Sequence, residues 1–170
     1  MSQKAKICLV GATAVGKSSL VGRYVTSIFS ESYRTTIGVK IETRLVTRRG
    51  RDVELVIWDL SGEDEFQNVQ TRYLRGASGY FLVIDGTRRD TLNVAGMLES
   101  RVRAAVGALP FVVLLNKVDL VAEWQMTSAD VEAMQARGWA VLEASAKTGA
   151  GVTEAFDRLT DQILGARQWL

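Results

Sequence analysis

The sequence predicts an α/β fold of three layers: a six-stranded, mostly parallel sheet with one antiparallel strand, and helices on both faces. Three observations predict it. Short apolar runs at 79–85 (GYFLVID) and 110–116 (PFVVLLN) lack polar alternation, as strands buried on both faces do. Between and after them, Val94, Leu98, Val102 and Val106, then Val152, Phe156, Leu159 and Ile163, recur at helical spacing. Residues 39–47 instead alternate with period two, and the turn RRGRD leads from them into a second strand-like run. Strands alternating with helices imply parallel pairing, and the hairpin supplies the antiparallel strand.

Taken in order, residues 4–10 (KAKICLV) form a buried strand, and KSSLVGRYV after a glycine-rich loop forms a helix. In 39–47, Val39, Ile41, Thr43 and Leu45 share one face and Lys40, Glu42 and Arg44 the other, which predicts a half-exposed strand. Its partner is 53–59 (VELVIWD). The runs at 79–85 and 110–116 are buried strands with a helix between them, 139–144 (WAVLEA) is a shorter strand, and the Phe156 stripe is the last helix. The 170 residues fit one domain, 1–170, long enough to bury about 70% of the unfolded surface. A single proline and the absence of low-complexity stretches leave no linker or repeat.

Composition removes several functions. With no histidine, His-based catalysis and His-ligated zinc are excluded. A net charge of +2 argues against a nucleic-acid or membrane surface, and the pairs Arg48-Arg49 and Arg88-Arg89 are expected to be solvated turns. The lone Cys8 lies in an apolar run, so a buried thiol in a reducing compartment is expected. The opening MSQKAK has no apolar core behind it, so it is not expected to be a signal peptide, and the apolar runs are too short to span a bilayer. A soluble, cytoplasmic protein is expected.

Ligands of such sheets bind beyond the carboxyl ends of the strands, so the chemistry belongs to the loops after strands. The first of these, Gly11 to Ser18 (GATAVGKS), matches G-x-x-x-x-G-K-[ST] between a strand and a helix, the context the motif requires. This makes the fold a P-loop NTPase. The backbone of Gly11, Ala14, Val15, Gly16, Lys17, Ser18 and Ser19 is expected to wrap phosphates, with favourable charge from the helix N-terminus. Lys17 is expected to reach the β- and γ-phosphates and Ser18 to bind Mg²⁺. The NKVD segment, Asn116 to Asp119, selects the nucleotide. The Asp119 carboxylate can accept from both guanine N1–H and the exocyclic amine, a donor pair that adenine lacks.

With these motifs the chain resembles the Ras superfamily of small GTPases, and its Rab branch most closely, over nearly all of residues 4–165. The resemblance rests on the P-loop, TTIG at 35–38, WDLSG at 58–62, NKVD, and SAK at 145–147. It implies the small G-protein fold, GTP/GDP and Mg²⁺ as ligands, and GTP hydrolysis as the activity. It further implies that Phe29 leans on the base, that Thr36 ligates Mg²⁺ and senses the γ-phosphate, and that Asp59 holds the metal's water shell. Gly62 would give its N–H to the γ-phosphate. Lys117 would stack along the base, the Ala146 N–H would meet the guanine oxygen, and Ser145 and Lys147 would brace that loop. Loss of the γ-phosphate would release the anchors at Thr36 and Gly62, and with them two segments (30–38 and 60–76) that carry no strong core pattern. The runs RYLRGASGYFLVID and IWDLSG are what resemble the Rab branch. By that likeness Trp58 and Tyr73, with Ile41 standing where Phe is usual, either form an effector surface or simply pack beneath the switches. An exchange factor, an activating protein and a monomeric state are also implied.

Position 63 departs from the family, whose glutamine there orients the attacking water. A glutamine amide both accepts and donates, whereas an ionised Glu63 only accepts and brings negative charge towards the phosphate. Either Glu63 supports slow hydrolysis by a modified route, or the chain is a GTP-binding module with little or no turnover. A third possibility leaves Glu63 in solvent. Thr13, where Ras has glycine, would crowd an activating protein's arginine. Arg34, near the arginine that heterotrimeric G-protein α subunits carry in this switch, is either a solvated loop residue or a source of transition-state charge in cis. An ATP-using P-loop kinase is disfavoured by Asp119 and by the lack of a lid-like insertion. The final residues, LGARQWL, hold no cysteine for a prenyl anchor. That suits an anchorless member, prokaryotic for instance, and equally a chain that ends before its tail.

Overall fold

Side chains along β1 (Gln3–Gly11) point alternately to the two faces of the sheet, and this alternation divides the interior in two. The structure is a computed structural model and describes residues 2–27, 39–60 and 71–166. Ile7 and Leu9 join one apolar cluster with Leu20 and Tyr24 of α1 (Lys17–Thr26) and Phe156, Leu159 and Ile163 of α5 (Val152–Ala166). Cys8 and Val10 join the other. There they meet Leu74 of α2 (Thr71–Leu74), Leu98 and Val102 of α3 (Asp90–Val106), and Met134 of α4 (Ser128–Ala136). The sheet is therefore covered on both faces, as its continuous apolar strands require.

Six strands lie side by side in the order β2 (Val39–Arg48), β3 (Arg51–Leu60), β1, β4 (Gly79–Asp85), β5 (Phe111–Asn116) and β6 (Ala140–Glu143). All neighbours pair in parallel except the β2–β3 hairpin. This is the α/β architecture expected. Every residue of β4 is buried, which is why its apolar run carries no alternation. Burial pushes the Cys8 thiol up to about 12, so the one cysteine is an inert core residue. Among the described residues no helix is long and apolar enough to cross a membrane.

Four features depart from the sequence reading. First, α4 and the short α2 left no apolar stripe to find; in α4 only Met134 is buried. What starts α4 is a capping box: the Asp130 N–H donates to Thr127 Oγ1 at 3.2 Å, and the Thr127 N–H donates to Asp130 Oδ2 at 2.8 Å. Thr127→Ala is expected to lower stability by about 1 kcal/mol, read as a shifted urea midpoint at constant slope.

Second, the segment 60–76 carries no strong core pattern in the sequence, yet Leu60 (4% exposed) and Leu74 (1%) at its described ends are core. Third, β2 alternates as predicted but with its polarity reversed. Ile41 and Leu45 are 47% and 62% exposed, while Arg44 and Val46 turn inward. The Arg44 guanidinium lies 4.1 Å from the centre of the Tyr24 ring and donates to the Tyr24 carbonyl.

Fourth, Arg49 and Arg89 are more than half exposed, as solvated turns would have them, but both arginine pairs are tied to carboxylates. Arg48 forks onto the Asp161 carboxylate of α5, with Nε and Nη2 at 3.0 and 2.6 Å, and Arg49 Nε lies 3.8 Å from the same group. Arg89 forks onto Asp130 at 2.6 Å through each Nη, and this pairing, followed by the Thr127 N–H, holds the Asp130 carboxyl well below the usual range. These carboxylates lie far along the chain, so a local reading of a basic doublet cannot see them.

Candidate functional site

Because the sheet is parallel from β3 to β6, the ends of β1, β3, β4, β5 and β6 open onto one edge of the molecule. The loop after β1 turns tightly there, for reasons particular to two glycines. A Cβ on Gly11 would lie 2.5 Å from the Val83 carbonyl oxygen, and one on Gly16 would lie 2.2 Å from Asn116 Nδ2, with Gly16 at φ 102°. Ala14 also adopts the left-handed region, at φ 62°. Right- and left-handed residues in succession turn consecutive N–H groups into one concavity, the geometry of an anion nest.

Lys17, the first residue of α1, is only 6% exposed. Its Nζ donates to the Gly11 and Ala12 carbonyls, each at 3.1 Å. Burial lowers its pKa to about 8, against the pull of Asp59 and with the help of the Arg88 charge. Asp59, at the end of β3, accepts from the Ser18 hydroxyl through Oδ2, while its Oδ1 is buried without a partner among the described residues. Burial raises the Asp59 carboxyl, opposed by the Ser18 hydrogen bond and the Lys17 charge. An orphaned carboxylate oxygen beside a hydroxyl offers hard oxygen donors, a set that fits Mg²⁺. Thr13 Oγ1 is likewise buried without a partner among the described residues.

The loops after β5 and β6 lock to each other and to the first. Asn116 Nδ2 donates to the Val15 carbonyl at 2.9 Å, and Asn116 Oδ1 accepts the Ala146 N–H at 3.3 Å. The Ser145 hydroxyl donates to Asp119 Oδ1 at 2.7 Å, and the Thr148 N–H donates to Ser145 Oγ at 3.1 Å. Lys117, at φ 71°, sends its Nζ to the Ala14 carbonyl at 3.2 Å. The expected residues Gly11, Ala14, Val15, Gly16, Lys17, Ser18, Asp59, Asn116, Lys117, Asp119, Ser145 and Ala146 thus gather at one edge. Ser19 is half-buried in the first turn of α1, and Lys147 is exposed beside Ala146. Phe29, Arg34, Thr36, Gly62 and Glu63 lie outside the described residues.

A protein-family model described as the Ras family matches residues 6–165. The chain belongs to the Ras family. It is a Rab-like small GTPase, a switch that binds guanine nucleotide. Ras-related protein Rab-4 of Dictyostelium discoideum is 34% identical to it over 161 residues, which cover 94% of this chain and 78% of that one.

Three residues of this small GTPase escaped the sequence reading. Arg23 of α1 donates through Nε to the Ala146 carbonyl at 2.8 Å and through Nη2 to the Lys147 carbonyl, fixing the loop after β6. Asp85 ends β4 with its side chain 1% exposed and Lys117 Nζ 2.7 Å away. Arg88 follows it and reaches the Thr13 carbonyl at 2.6 Å. One signal was available for the last two: they follow a buried strand at the same edge as the other site loops.

A second feature of the surface lies beside this edge. Ile41 pairs with Trp58 across the hairpin ladder, and the Tyr73 ring lies 6.1 Å from that of Trp58. Lys6 Nζ sits 3.7 Å above the Trp58 ring, and Trp58 Nε1 is buried without a partner among the described residues. Both aromatic residues are half-buried while Ile41 is exposed.

Proposed function

We propose that this GTPase alternates between GTP- and GDP-bound forms at the edge formed by these loops, as a single G domain of residues 1–170, and hydrolyses GTP slowly with Glu63 in the position of the usual glutamine. The observation that carries the reading is Asn116, whose one side chain ties the P-loop at Val15 to the base loop at Ala146. Such a bond makes phosphate and guanine recognition parts of one rigid unit. In this reading the N–H groups of Ala14 through Ser19 hold the phosphates, with Lys17 displaced from its own loop carbonyls onto the β- and γ-phosphates. Asp119 and the Ala146 N–H read guanine, Lys117 and Phe29 flank it, and Ser145 and Lys147 brace the loop. Ser18, Thr36 and Asp59 would hold Mg²⁺, which would supply positive charge to the phosphates.

Thr36 and Gly62 gain partners only when a γ-phosphate is bound, so their segments report the nucleotide state to an effector seated on Ile41, Trp58 and Tyr73. An exchange factor and an activating protein set the timing, and the protein works as a cytoplasmic monomer. Ionised Glu63 accepts from the attacking water but donates nothing to the phosphate, which slows the chemical step.

Single-turnover hydrolysis of preloaded GTP with Mg²⁺ tests this. The parent is expected to hydrolyse measurably and Glu63→Gln faster. A parent as fast as the Gln variant makes Glu63 an effective water-positioner. An inert parent revived by Gln replaces the proposal with a GTP-binding module held on by Glu63.

A further inference from the structure

The carboxylate of Asp85 is saturated from within. Its Oδ1 accepts the Thr87 N–H at 2.9 Å and the Thr87 hydroxyl at 2.6 Å. Its Oδ2 takes Arg88 Nε at 3.1 Å and Lys117 Nζ at 2.7 Å. A carboxylate has about four lone-pair sites, so none remains for a ligand. Each of its two cations in turn holds a carbonyl of the P-loop: Arg88 Nη2 that of Thr13 at 2.6 Å, and Lys117 Nζ that of Ala14 at 3.2 Å. Asn116 Nδ2 holds the next, that of Val15, at 2.9 Å. Three consecutive carbonyls are therefore gripped from one side.

In a planar trans peptide the N–H of each residue points opposite to the preceding carbonyl. Carbonyls drawn towards Arg88, Lys117 and Asn116 turn the N–H groups of Ala14, Val15 and Gly16 to the other side. Ala14 is held there in a left-handed conformation that is costly for an L-residue and needs external support. The arginine suits its place because Nε and Nη2 of one rigid fork reach two acceptors in different directions. Buried Thr91 fixes the turn below, donating to the Arg88 carbonyl at 2.7 Å and accepting the Asp85 N–H at 3.0 Å.

We propose that Asp85 and Arg88 are positioning residues for nucleotide, orienting the phosphate-facing N–H groups of the P-loop through the Thr13 and Ala14 carbonyls. The inference rests on the reading of this loop as the phosphate site. It is tested by release of GDP bearing a fluorescent N-methylanthraniloyl group, chased with unlabelled GDP, from the parent and five variants.

Arg88→Ala is expected to release the probe about tenfold faster, the effect of losing one charge-assisted hydrogen bond. Arg88→Lys keeps the charge but cannot fill both contacts, so it should fall close to Ala. Asp85→Asn should accelerate release at least as much, and adding Arg88→Ala to it should do little more, because the two act as one unit. Arg89→Ala, which breaks only the contact to Asp130 and its neighbours, should leave release unchanged. In the ³¹P spectrum of bound GDP the β-phosphorus resonance should move in Arg88→Ala while the guanine imino proton stays in place, a signature that general destabilisation does not produce. Parent-like release and an unmoved β-phosphorus resonance in Arg88→Ala overturn the proposal. So does an Arg88→Lys variant equal to the parent, which would reduce the effect to bulk charge. If Asp85→Asn does not fold, Arg88→Ala and Arg88→Lys decide alone. A parent that binds no labelled GDP refutes the phosphate-site reading itself.

Discussion

Asp119→Asn is expected to weaken GDP and GTP binding by about 10⁴-fold and to confer binding of xanthosine nucleotides. Ser145 Oγ, 2.7 Å from Asp119 Oδ1 and itself fixed by the Thr148 N–H, holds the carboxylate in one orientation. A carboxylate so held offers only acceptors to the donor pair on guanine. An asparagine amide replaces one acceptor with a donor, setting N–H against N–H and leaving both unpaired in a closed site. Xanthine carries a carbonyl where guanine carries the amine, so the same amide finds an acceptor. Competition between labelled GDP and xanthosine diphosphate measures both effects. A variant that keeps GDP and gains nothing for xanthosine diphosphate would remove Asp119 from base recognition.

Phe156→Ala is expected to cost about 3–5 kcal/mol of stability. The Phe156 ring is 0% exposed. It stacks on Tyr24 with centroids 3.8 Å apart and planes 2° apart, and it meets Phe81 edge-on at 4.7 Å. One side chain therefore joins α5, α1 and β4, and α1 is the helix whose first turn carries Lys17 and Ser18. The cavity cannot close without moving one of those three elements. Urea unfolding at equal free GDP measures the loss, since bound nucleotide stabilises both proteins by mass action. A loss under about 1 kcal/mol would mean that the neighbours collapse into the space.

The strands were legible because burial on both faces leaves a plain mark: β4 begins and ends where its apolar run does. Helix α5 was equally plain, with Val152, Phe156, Leu159 and Ile163 all buried. Helix α4 was not, because a capping box and an ion pair hold it rather than an apolar stripe. The P-loop and NKVD segments were legible as motifs because contiguous residues carry their chemistry. Asp85, Arg88 and Arg23 were not, since each acts on a carbonyl or a cation supplied by a distant segment. Arg88 and the Thr13 carbonyl are 75 residues apart. A polar residue closing a strand and an arginine in a turn have ordinary local explanations, and only the fold makes them neighbours.

The reversed polarity of β2 has a consequence for how this strand tolerates change. A strand whose apolar face is buried keeps its register because a one-residue slip would expose that face. Here Ile41 and Leu45 are already outside, so register depends on the inward residues, Val46 against the core, Arg44 against Tyr24 and Arg48 in the fork of Asp161. Ile41, Thr43 and Leu45 carry none of that duty. Their side chains can be rewritten while the strand keeps its address in the sheet, because its alignment is encoded on the opposite side of the ribbon.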